Sequence, residues 1–374
     1  MTVFYEVESV PPFVSGQEAP LELPTGDLRL GFCGSCGFIE NISFDPSLLD
    51  HTFDETQIFS PTFSAYARDL AQRLIDQYDI RDKDVLEIGC GRGEFLVLLC
   101  ELGGNRGVGI DPASVPERVS SEAAERITFI QDYYSDKYHH IAADFICCRH
   151  TLEHIQPTGD FLRSVRRSLG ERRDAVVFFE VPDVSRILRE VAFWDIHYEH
   201  CSYFSLGSLA RLFRSCGFEV LNITKDFDDQ YLLIDARAGD GSASLPLPEE
   251  EDLEELARDV TYFARNYPSK LEQWKRTLRG IREQGRRAVI WGAGAKGVSF
   301  LTTLGIQEEV EFAVDINPFK HGRYMPGTGQ KIVPPEFLKQ YRPDVVIVMN
   351  PIYSEEIQQN LNDLGVSAEL VPVG

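Results

Sequence analysis

The sequence has little positive charge, one cysteine pair with metal-binding spacing and no long hydrophobic run. Its 374 residues carry 59 acidic against 37 basic side chains, a formal charge of −22. This excess would repel a phosphate backbone, so nucleic acid is not an expected partner. No apolar run approaches the roughly 20 residues of a membrane helix. The start "MTVFYEVESVPP" also lacks the regions of a signal peptide. We therefore expect a cytoplasmic protein with no membrane partner.

The eight cysteines are scattered along the chain, which favours reduced thiols over a disulfide framework. Only Cys33 and Cys36 have the spacing of a metal-binding pair. A structural zinc site normally takes four protein ligands, and this pair supplies half of them. The sequence therefore leaves open whether zinc binds at this pair or whether the two residues form a simple turn.

The chain is too long for one ordinary core, and its composition predicts four segments. Residues 1–59 are rich in Pro and Gly and predict a small N-terminal module. Over residues 60–238 apolar strands alternate with helical stretches, which predicts a doubly wound α/β core. Residues 239–285 are charged and helical, and predict a solvated connector. Residues 286–374 repeat the α/β pattern as a second Rossmann-like domain.

The core segment opens with a helix signal. The stretch "SPTFSAYARDLAQRLIDQY" begins with Ser60, a favoured N-cap, and has Pro61 at the first helical position.

A glycine-rich turn, "EIGCGRG", follows the first strand of the core and holds Gly89, Gly91 and Gly93. Such glycines let the backbone turn sharply and let a ligand approach the start of the next helix. Asp111 closes the next strand about twenty residues later, where a carboxylate can accept both hydroxyls of a ribose. Asp132 closes the following strand, within reach of an adenine amino group. The polar run "RHTLEHI" ends a fourth strand at the same edge.

These motifs resemble those of the class I S-adenosylmethionine-dependent methyltransferases. The match rests on "VLEIGCGRGEFL", "GIDP" and "HTLEHI", including the acidic Glu87 two positions before the first glycine. The resemblance implies that Glu87 and the glycines contact the methionine part of S-adenosylmethionine, Asp111 its ribose and Asp132 its adenine. The complete set of expected cofactor-binding residues is Glu87, Gly89, Gly91, Gly93, Asp111, Pro112, Asp132, Tyr133, Arg149 and His150.

Candidate acid and base residues lie close together in "FWDIHYEHCSYFS". Methyl transfer needs an aligned acceptor, and an oxygen, nitrogen or carbon acceptor must also lose a proton to a base. His197, Tyr198, Glu199 and His200 follow one another here and predict the lining of a cleft. Packing residues with satisfied polar atoms are the alternative.

The same stretch resembles the "YHEH" and "SYFS" segments of C-methyltransferases that act on nucleotide-linked ketosugars. That family has a zinc-binding N-terminal module, a methyltransferase core and a Rossmann-like C-terminal domain. The resemblance implies that Glu199 and His200 act as acid and base while a ketone forms an enolate that is methylated at carbon. His197 and Tyr198 replace the family's tyrosine and first histidine, and Phe53 stands where tyrosine is common.

A second turn, "WGAGAKG", has the GxGxxG spacing, and Asp315 follows it at the end of the next strand. Alone it would predict NAD binding. The family resemblance instead places it in the domain that closes over the substrate, where a helix N-terminus offers an anion site for a diphosphate. The expected substrate-binding residues are His154, Tyr203, Gly292, Gly294, Lys296, Gly297, Asn350 and Tyr353.

Three functions are compatible with these patterns. The first is C-methylation of a nucleotide-linked ketosugar or a related phosphorylated small molecule. The second keeps S-adenosylmethionine but transfers the methyl group to oxygen or nitrogen of another biosynthetic intermediate. The third is an NAD-linked oxidoreductase or sensor that works through the second glycine turn.

Overall fold

The computed structural model describes residues 1–12, 16–17, 24–49, 56–114, 121–239 and 245–374. Phe53, one departure from the resembled family, lies outside these ranges. The strands within them are β1 (Thr2–Val10), β2 (Gly26–Phe32), β3 (Ile39–Asn41), β4 (Asp84–Ile88), β5 (Arg106–Ile110), β6 (Ile127–Ile130), β7 (Phe145–Arg149), β8 (Val176–Pro182), β9 (Ser202–Tyr203), β10 (Phe218–Asp226), β11 (Tyr231–Ala238), β12 (Ala288–Trp291), β13 (Phe312–Val314), β14 (Lys331–Val333), β15 (Val345–Val348) and β16 (Glu369–Pro372). The helices are α1 (Pro61–Tyr78), α2 (Glu94–Gly103), α3 (Thr158–Leu169), α4 (Val184–Glu190), α5 (Leu206–Ser215), α6 (Leu253–Glu283), α7 (Ala295–Leu304), α8 (Leu338–Tyr341) and α9 (Ser354–Leu364).

The central sheet has the strand order β10-β11-β8-β7-β4-β5-β6. Strands β4 to β8 pair in parallel, and β11 is antiparallel to both of its neighbours. Helix α1 begins as predicted, with Ser60 Oγ accepting a hydrogen bond from the amide of Phe63 at 3.2 Å. The predicted doubly wound α/β core is confirmed. Strand β4 has β5 on one side and β7 on the other, so the first glycine turn leaves the sheet at its topological switch point, where such sheets bind ligands.

A second parallel sheet has the order β14-β13-β12-β15-β16. The order again reverses beside the strand that precedes a glycine turn, because β12 pairs with both β13 and β15. This confirms the second Rossmann-like unit predicted from the sequence. Its turn therefore occupies the ligand-binding edge of its own sheet.

The N-terminal sheet is antiparallel, with the order β1-β2-β3-β9. Its last strand, β9, lies far along the chain, directly after the "HYEH" segment. The N-terminal residues and the candidate catalytic segment are therefore tied together by main-chain hydrogen bonds.

Helix α6 was predicted to be a solvated connector, and that prediction is wrong in one respect. One face of the helix is buried, through Leu256, Val260, Phe263, Trp274, Leu278 and Ile281. Phe263 packs edge-on against Tyr5 of β1 at 5.5 Å, and Trp274 against Phe300 of α7 at 5.1 Å between ring centroids. The high density of charge along α6 hides an apolar stripe that joins the N-terminal sheet to the C-terminal unit in one hydrophobic cluster.

None of the helices in the described ranges combines the length and the apolar character needed to cross a membrane.

Candidate active site

A cavity of about 1280 Å³ lies between the carboxyl ends of the parallel strands in the central and C-terminal sheets. Both glycine turns line it, together with the ends of β5, β7 and β8 and the "HYEH" segment. The fold thus brings sequence motifs two hundred residues apart to one site.

Two positions of the first glycine turn accept only glycine. Gly89 and Gly93 have φ values of +71° and +81°, and a Cβ atom there would lie 2.1 Å from Thr151 Oγ1 and 2.2 Å from Phe129. A Cβ on Gly91 would meet nothing within 4 Å. The backbone of Gly91 is therefore the open wall of the turn, where a ligand can approach.

Glu87 is buried at the end of β4, and its Oε2 has no hydrogen-bond partner among the described residues. Burial raises the pKa of Glu87 to about 8, although Arg149 partly opposes the shift. A buried carboxyl group on a cavity wall with a free oxygen fits the cationic amino group of S-adenosylmethionine. With the open Gly91 wall, the residues present fit this cofactor.

The two predicted strand-end aspartates differ in their surroundings. Asp111 accepts hydrogen bonds from the amides of Gly91 at 2.8 Å and Ala113 at 2.7 Å, so it holds the glycine turn in place. Asp132 is engaged by Lys137 and Tyr138, which lower its pKa to about 2. Both line the cavity beside Pro112 and Tyr133. Both oxygens of Asp111 and Oδ1 of Asp132 retain a further lone pair for a ligand, whereas Oδ2 of Asp132 already accepts from both Lys137 and Tyr138.

Arg149 was predicted to bind the cofactor, but its guanidinium is already paired in the interior. Its Nε lies 2.6 Å from Glu180 Oε2, and its Cζ lies 4.1 Å from the centre of the Phe95 ring. His150 Nε2 lies 2.9 Å from the other oxygen of Glu180. Burial alone would raise the pKa of Glu180, but Arg149 and His150 hold it at about 2. The sequence reasoning missed Glu180, although an acidic residue in the apolar strand "VVFFEVP" was a usable signal.

Three histidines meet at the cavity wall. The ring of His200 lies edge-on to His154 at 4.8 Å and to His197 at 5.0 Å between centroids. Burial, followed by the nearby His154 and His197, holds the pKa of His200 well below its usual value. Burial also lowers the pKa of His197 to about 4. The imidazoles of His197 and His200 are therefore neutral at neutral pH and can accept protons.

Glu199 is buried and lines the same cavity. Its carbonyl oxygen lies 3.2 Å from His154 Nδ1, so the chain around the predicted acid and base pair is tied to the end of β7.

Four predicted site residues do not line the cavity and need correction: Gly93, whose position packs against Phe129, and the three residues described next. The hydroxyl of Tyr198 accepts a hydrogen bond from the amide of Asp45 at 2.9 Å, and its ring covers Gly26, so it packs against the N-terminal residues. The hydroxyl of Tyr203 is bonded to the main chain of His197 and supports that residue from behind. A Cβ on Gly297 would lie 2.4 Å from the carbonyl of Gly292, so Gly297 permits close packing of helix and turn.

The second glycine turn is held by an aspartate in the same way as the first. Asp315 accepts the amide of Ala293 at 2.9 Å and that of Asn317 at 2.8 Å. Gly292, at φ +116°, and Gly294 line the cavity, and α7 starts immediately after them.

Lys296, beside this turn, was predicted to bind the substrate. Its Nζ lies 2.7 Å from Asp195 Oδ1, and Arg186 Nη2 lies 2.7 Å from the other oxygen of Asp195. Burial lowers the pKa of Lys296, while Asp195 opposes the shift. Lys296 is thus a partly buried member of an ion-pair network rather than a solvated surface lysine.

Asn350 and Tyr353 also line the cavity. The amide of Asn350 exchanges hydrogen bonds with that of Gln230 at 2.9 and 3.2 Å, and the Tyr353 hydroxyl donates to Gln57 at 3.0 Å. The C-terminal unit is therefore joined to the core across the cavity.

Cys33 and Cys36 are free thiols. Within the described ranges, they do not form part of any group of three side chains spaced to hold a metal. Glu153, His154 and His200 do have such spacing, with ligand atoms within 4.8 Å of one another. The spacing is the one observation here, and we assign no metal to this group.

Comparison with known proteins agrees with this geometry. A family model described as a methyltransferase domain matches residues 59–223, and one described as a C-methyltransferase C-terminal domain matches residues 245–368. C-methyltransferase NovU of Streptomyces niveus is 29% identical over 318 residues, covering 79% of this chain and 73% of NovU.

Two similar solved structures are both methyltransferases. One is 1,6-didemethyltoxoflavin-N1-methyltransferase from Burkholderia thailandensis, with 19% identity, 46% of this chain and 79% of that chain covered, and a TM-score of 0.35. The other is an S-adenosylmethionine-dependent methyltransferase from Aquifex aeolicus, with 15% identity, 52% and 99% coverage, and a TM-score of 0.38.

The matched methyltransferase domain coincides with the sheet whose switch point carries the glycine turn and Glu87. The protein is therefore an S-adenosylmethionine-dependent methyltransferase with a class I, Rossmann-like core. Its second unit matches the C-terminal domain of C-methyltransferases.

Proposed function

We propose that this enzyme methylates carbon in a nucleotide-linked ketosugar or a closely related phosphorylated ketone. The observation that carries the proposal is the neutral His200, which lies with His154 and His197 in the same cavity as the first glycine turn. A carbon acceptor must lose a proton, and a neutral imidazole within reach of the substrate is suited to accept it. The match to NovU and to the C-terminal C-methyltransferase domain supports the same acceptor atom.

When bound, S-adenosylmethionine supplies an electrophilic methyl group. Glu87 and the first glycine turn would hold its methionine part, Asp111 its ribose and Asp132 its adenine. His200, acting with Glu199, removes the proton from the carbon next to the ketone, and the electron pair of that C–H bond forms the enolate. That enolate carbon would be the acceptor for the methyl group that S-adenosylmethionine supplies.

The C-terminal unit supplies the groups suited to a diphosphate. Helix α7 begins after Gly294, which has no side chain to cap it, and Gly294, Ala295 and Lys296 line the cavity, so the uncapped start of the helix lies at the cavity wall. Lys296 and Arg186 stand beside them with Asp195 between. We propose that this wall binds the phosphates. The division into residues 1–59, 60–238, 239–285 and 286–374 stays a prediction, as does a zinc site at Cys33 and Cys36.

Deuterium exchange tests the carbon acceptor directly. The enzyme, loaded with S-adenosylhomocysteine, is incubated in D₂O with a panel of nucleotide-diphosphate ketosugars, and deuterium beside the ketone is followed by NMR. We expect exchange with the wild type and a loss of about 100-fold in His200→Asn, the scale of a general base. His140→Asn, which alters an exposed histidine outside the cavity, is the matched control.

Other results would point elsewhere. Methyl transfer from S-adenosylmethionine to oxygen or nitrogen without exchange at carbon would replace the proposal by the second hypothesis. Tight calorimetric binding of NAD, without binding of S-adenosylhomocysteine, would favour the third.

A further inference from the structure

His197 is held by a residue of the C-terminal unit, Ser299 on α7. Ser299 Oγ lies 2.9 Å from the carbonyl oxygen of Ile196 and 2.8 Å from His197 Nδ1. A carbonyl oxygen can only accept, so Ser299 must donate its single hydroxyl hydrogen to Ile196. The hydroxyl oxygen can then only accept from His197, and Nδ1 must carry a proton.

The other ring nitrogen is left with its lone pair. His197 is buried and neutral at neutral pH, so the ring holds one proton, and that proton is on Nδ1. Among the described residues, Nε2 of His197 has no hydrogen-bond partner, and the residue lines the cavity. The hydroxyl of Tyr203 fixes the main chain through bonds of 3.1 and 2.9 Å to its amide and carbonyl. Backbone and ring are therefore both held.

We infer that Ser299 is a positioning residue that sets the tautomer of His197, and that His197 Nε2 accepts a hydrogen bond from a hydroxyl group of the substrate. The inference rests on the proposed function for the substrate class, because a sugar offers such hydroxyls. It gives the C-terminal unit a second role. Besides covering the substrate, this unit prepares a side chain of the core to recognise it.

The tautomer can be measured without any substrate. In ¹⁵N-labelled protein at neutral pH, long-range ¹H–¹⁵N spectra distinguish the protonated from the unprotonated ring nitrogen of His197. We expect Nδ1–H in the wild type, a change toward Nε2–H in Ser299→Ala, and recovery in Ser299→Thr, which keeps the hydroxyl. A wild-type ring protonated on Nε2, or a tautomer unaffected by Ser299→Ala, would overturn the inference.

Kinetics test the recognition of the hydroxyl. In His197→Asn the side-chain amide can still donate to Ser299 but has no group in place of Nε2. For the ketosugar found active above, we expect KM to rise about 10-fold to 100-fold, and affinity for S-adenosylhomocysteine to stay unchanged. A ketosugar analogue without the recognised hydroxyl should lose a similar factor in the wild type and little more in His197→Asn. An unchanged KM in His197→Asn would remove the recognition role.

The two proposals fail separately. If no ketosugar exchanges deuterium while the tautomer responds to Ser299 as expected, the carbon acceptor is wrong and the tautomer assignment stands. If exchange occurs but neither Ser299→Ala nor His197→Asn has an effect, the carbon acceptor stands and the proposed roles of Ser299 and His197 are wrong.

Discussion

Two buried glutamates of the same sheet show how strongly individual surroundings decide charge. Glu180 is ionised because Arg149 and His150 contact both of its oxygens, and its pKa falls to about 2. Glu87 is equally buried but has one oxygen without a partner, and its pKa rises to about 8. The first is a structural ion pair, while the second is a protonated carboxyl group with an unpartnered oxygen on the cavity wall.

We expect Glu87→Gln to bind S-adenosylhomocysteine about tenfold more weakly than the wild type. In the free protein Glu87 holds a proton at pH 7, and a cationic amino group favours the ionised form. Binding should therefore release a proton, and affinity should increase as pH rises from about 6 to 8. Calorimetry in buffers of different ionisation enthalpy measures that release. Glu171→Gln, at an exposed glutamate outside the cavity, is the control. Equal proton release by wild type and Glu87→Gln would contradict the assignment.

We expect Glu180→Gln to lower the free energy of unfolding by about 3–5 kcal/mol, because Arg149 would remain buried without its partner. Because the pKa of Glu180 is lowered in the folded protein, its ion pair contributes fully to stability above the unfolded pKa of about 4.3. That contribution to stability is lost as the pH falls from about 4.3 toward about 2. Urea denaturation at several pH values measures it. Glu219→Gln, which breaks a half-exposed ion pair with Arg237, should cost at most about 1 kcal/mol. Similar losses in both variants would argue against the buried pair.

At the scale of elements, the two glycine turns use the same construction. In each, an aspartate at the end of the next strand accepts an amide hydrogen bond from the turn, from Gly91 in one case and Ala293 in the other. The acidic residue thus holds the turn as well as lying beside its ligand site. This explains why the spacing of glycines and aspartate located both turns so well.

We expect Gly93→Ala to destabilise the protein by about 2–3 kcal/mol, since it adds strain at φ +81° and a contact with Phe129. Gly305→Ala, at φ +68° with nothing within 4 Å of the added atom, should show the strain alone, about 1 kcal/mol. Thermal unfolding compares the two variants, and Gly93→Ala should also weaken S-adenosylhomocysteine binding. If the variants were equally stable, the Phe129 contact would carry no energy.

At the scale of the whole molecule, side chains of the C-terminal unit bond to the core around the cavity. Ser299 holds His197, Lys296 pairs with Asp195, and Asn350 bonds to Gln230. At the far side, Glu356 of α9 accepts hydrogen bonds from Ser60 Oγ at 2.7 Å and from the amide of Thr62 at 3.2 Å, at the start of α1. Docking of the C-terminal unit therefore completes both the cavity wall and the first turn of a core helix.

We expect Glu356→Ala to weaken this docking by about 1 kcal/mol, the size of a lost helix cap interaction. Hydrogen exchange followed by mass spectrometry should show faster exchange in the first turn of α1 and in α9. Glu355→Ala, at the neighbouring exposed position, is the matched control and should leave exchange unchanged. Exchange limited to α9 would show that the contact does not support α1.

The sequence by itself determined the local features of this protein. Alternating apolar strands and helices, glycines before a helix, and aspartates at strand ends are short-range patterns, and each depends on backbone geometry within a few residues. The α/β fold, both turns and the candidate cofactor residues could therefore be predicted. The apolar stripe of α6 is also present in the sequence, but the many charged residues of that helix obscured the pattern.

Only the tertiary structure decided which side chains reach the cavity. Tyr198 and Glu199 are adjacent in the chain, yet one packs against the N-terminal residues and the other lines the site. The partners of Arg149, Lys296 and His197 come from other elements, so no local pattern could show them. Burial also sets whether each group is charged, because desolvation depends on everything packed around it. The chemistry of the site therefore depends on how the units pack as well as on its motifs.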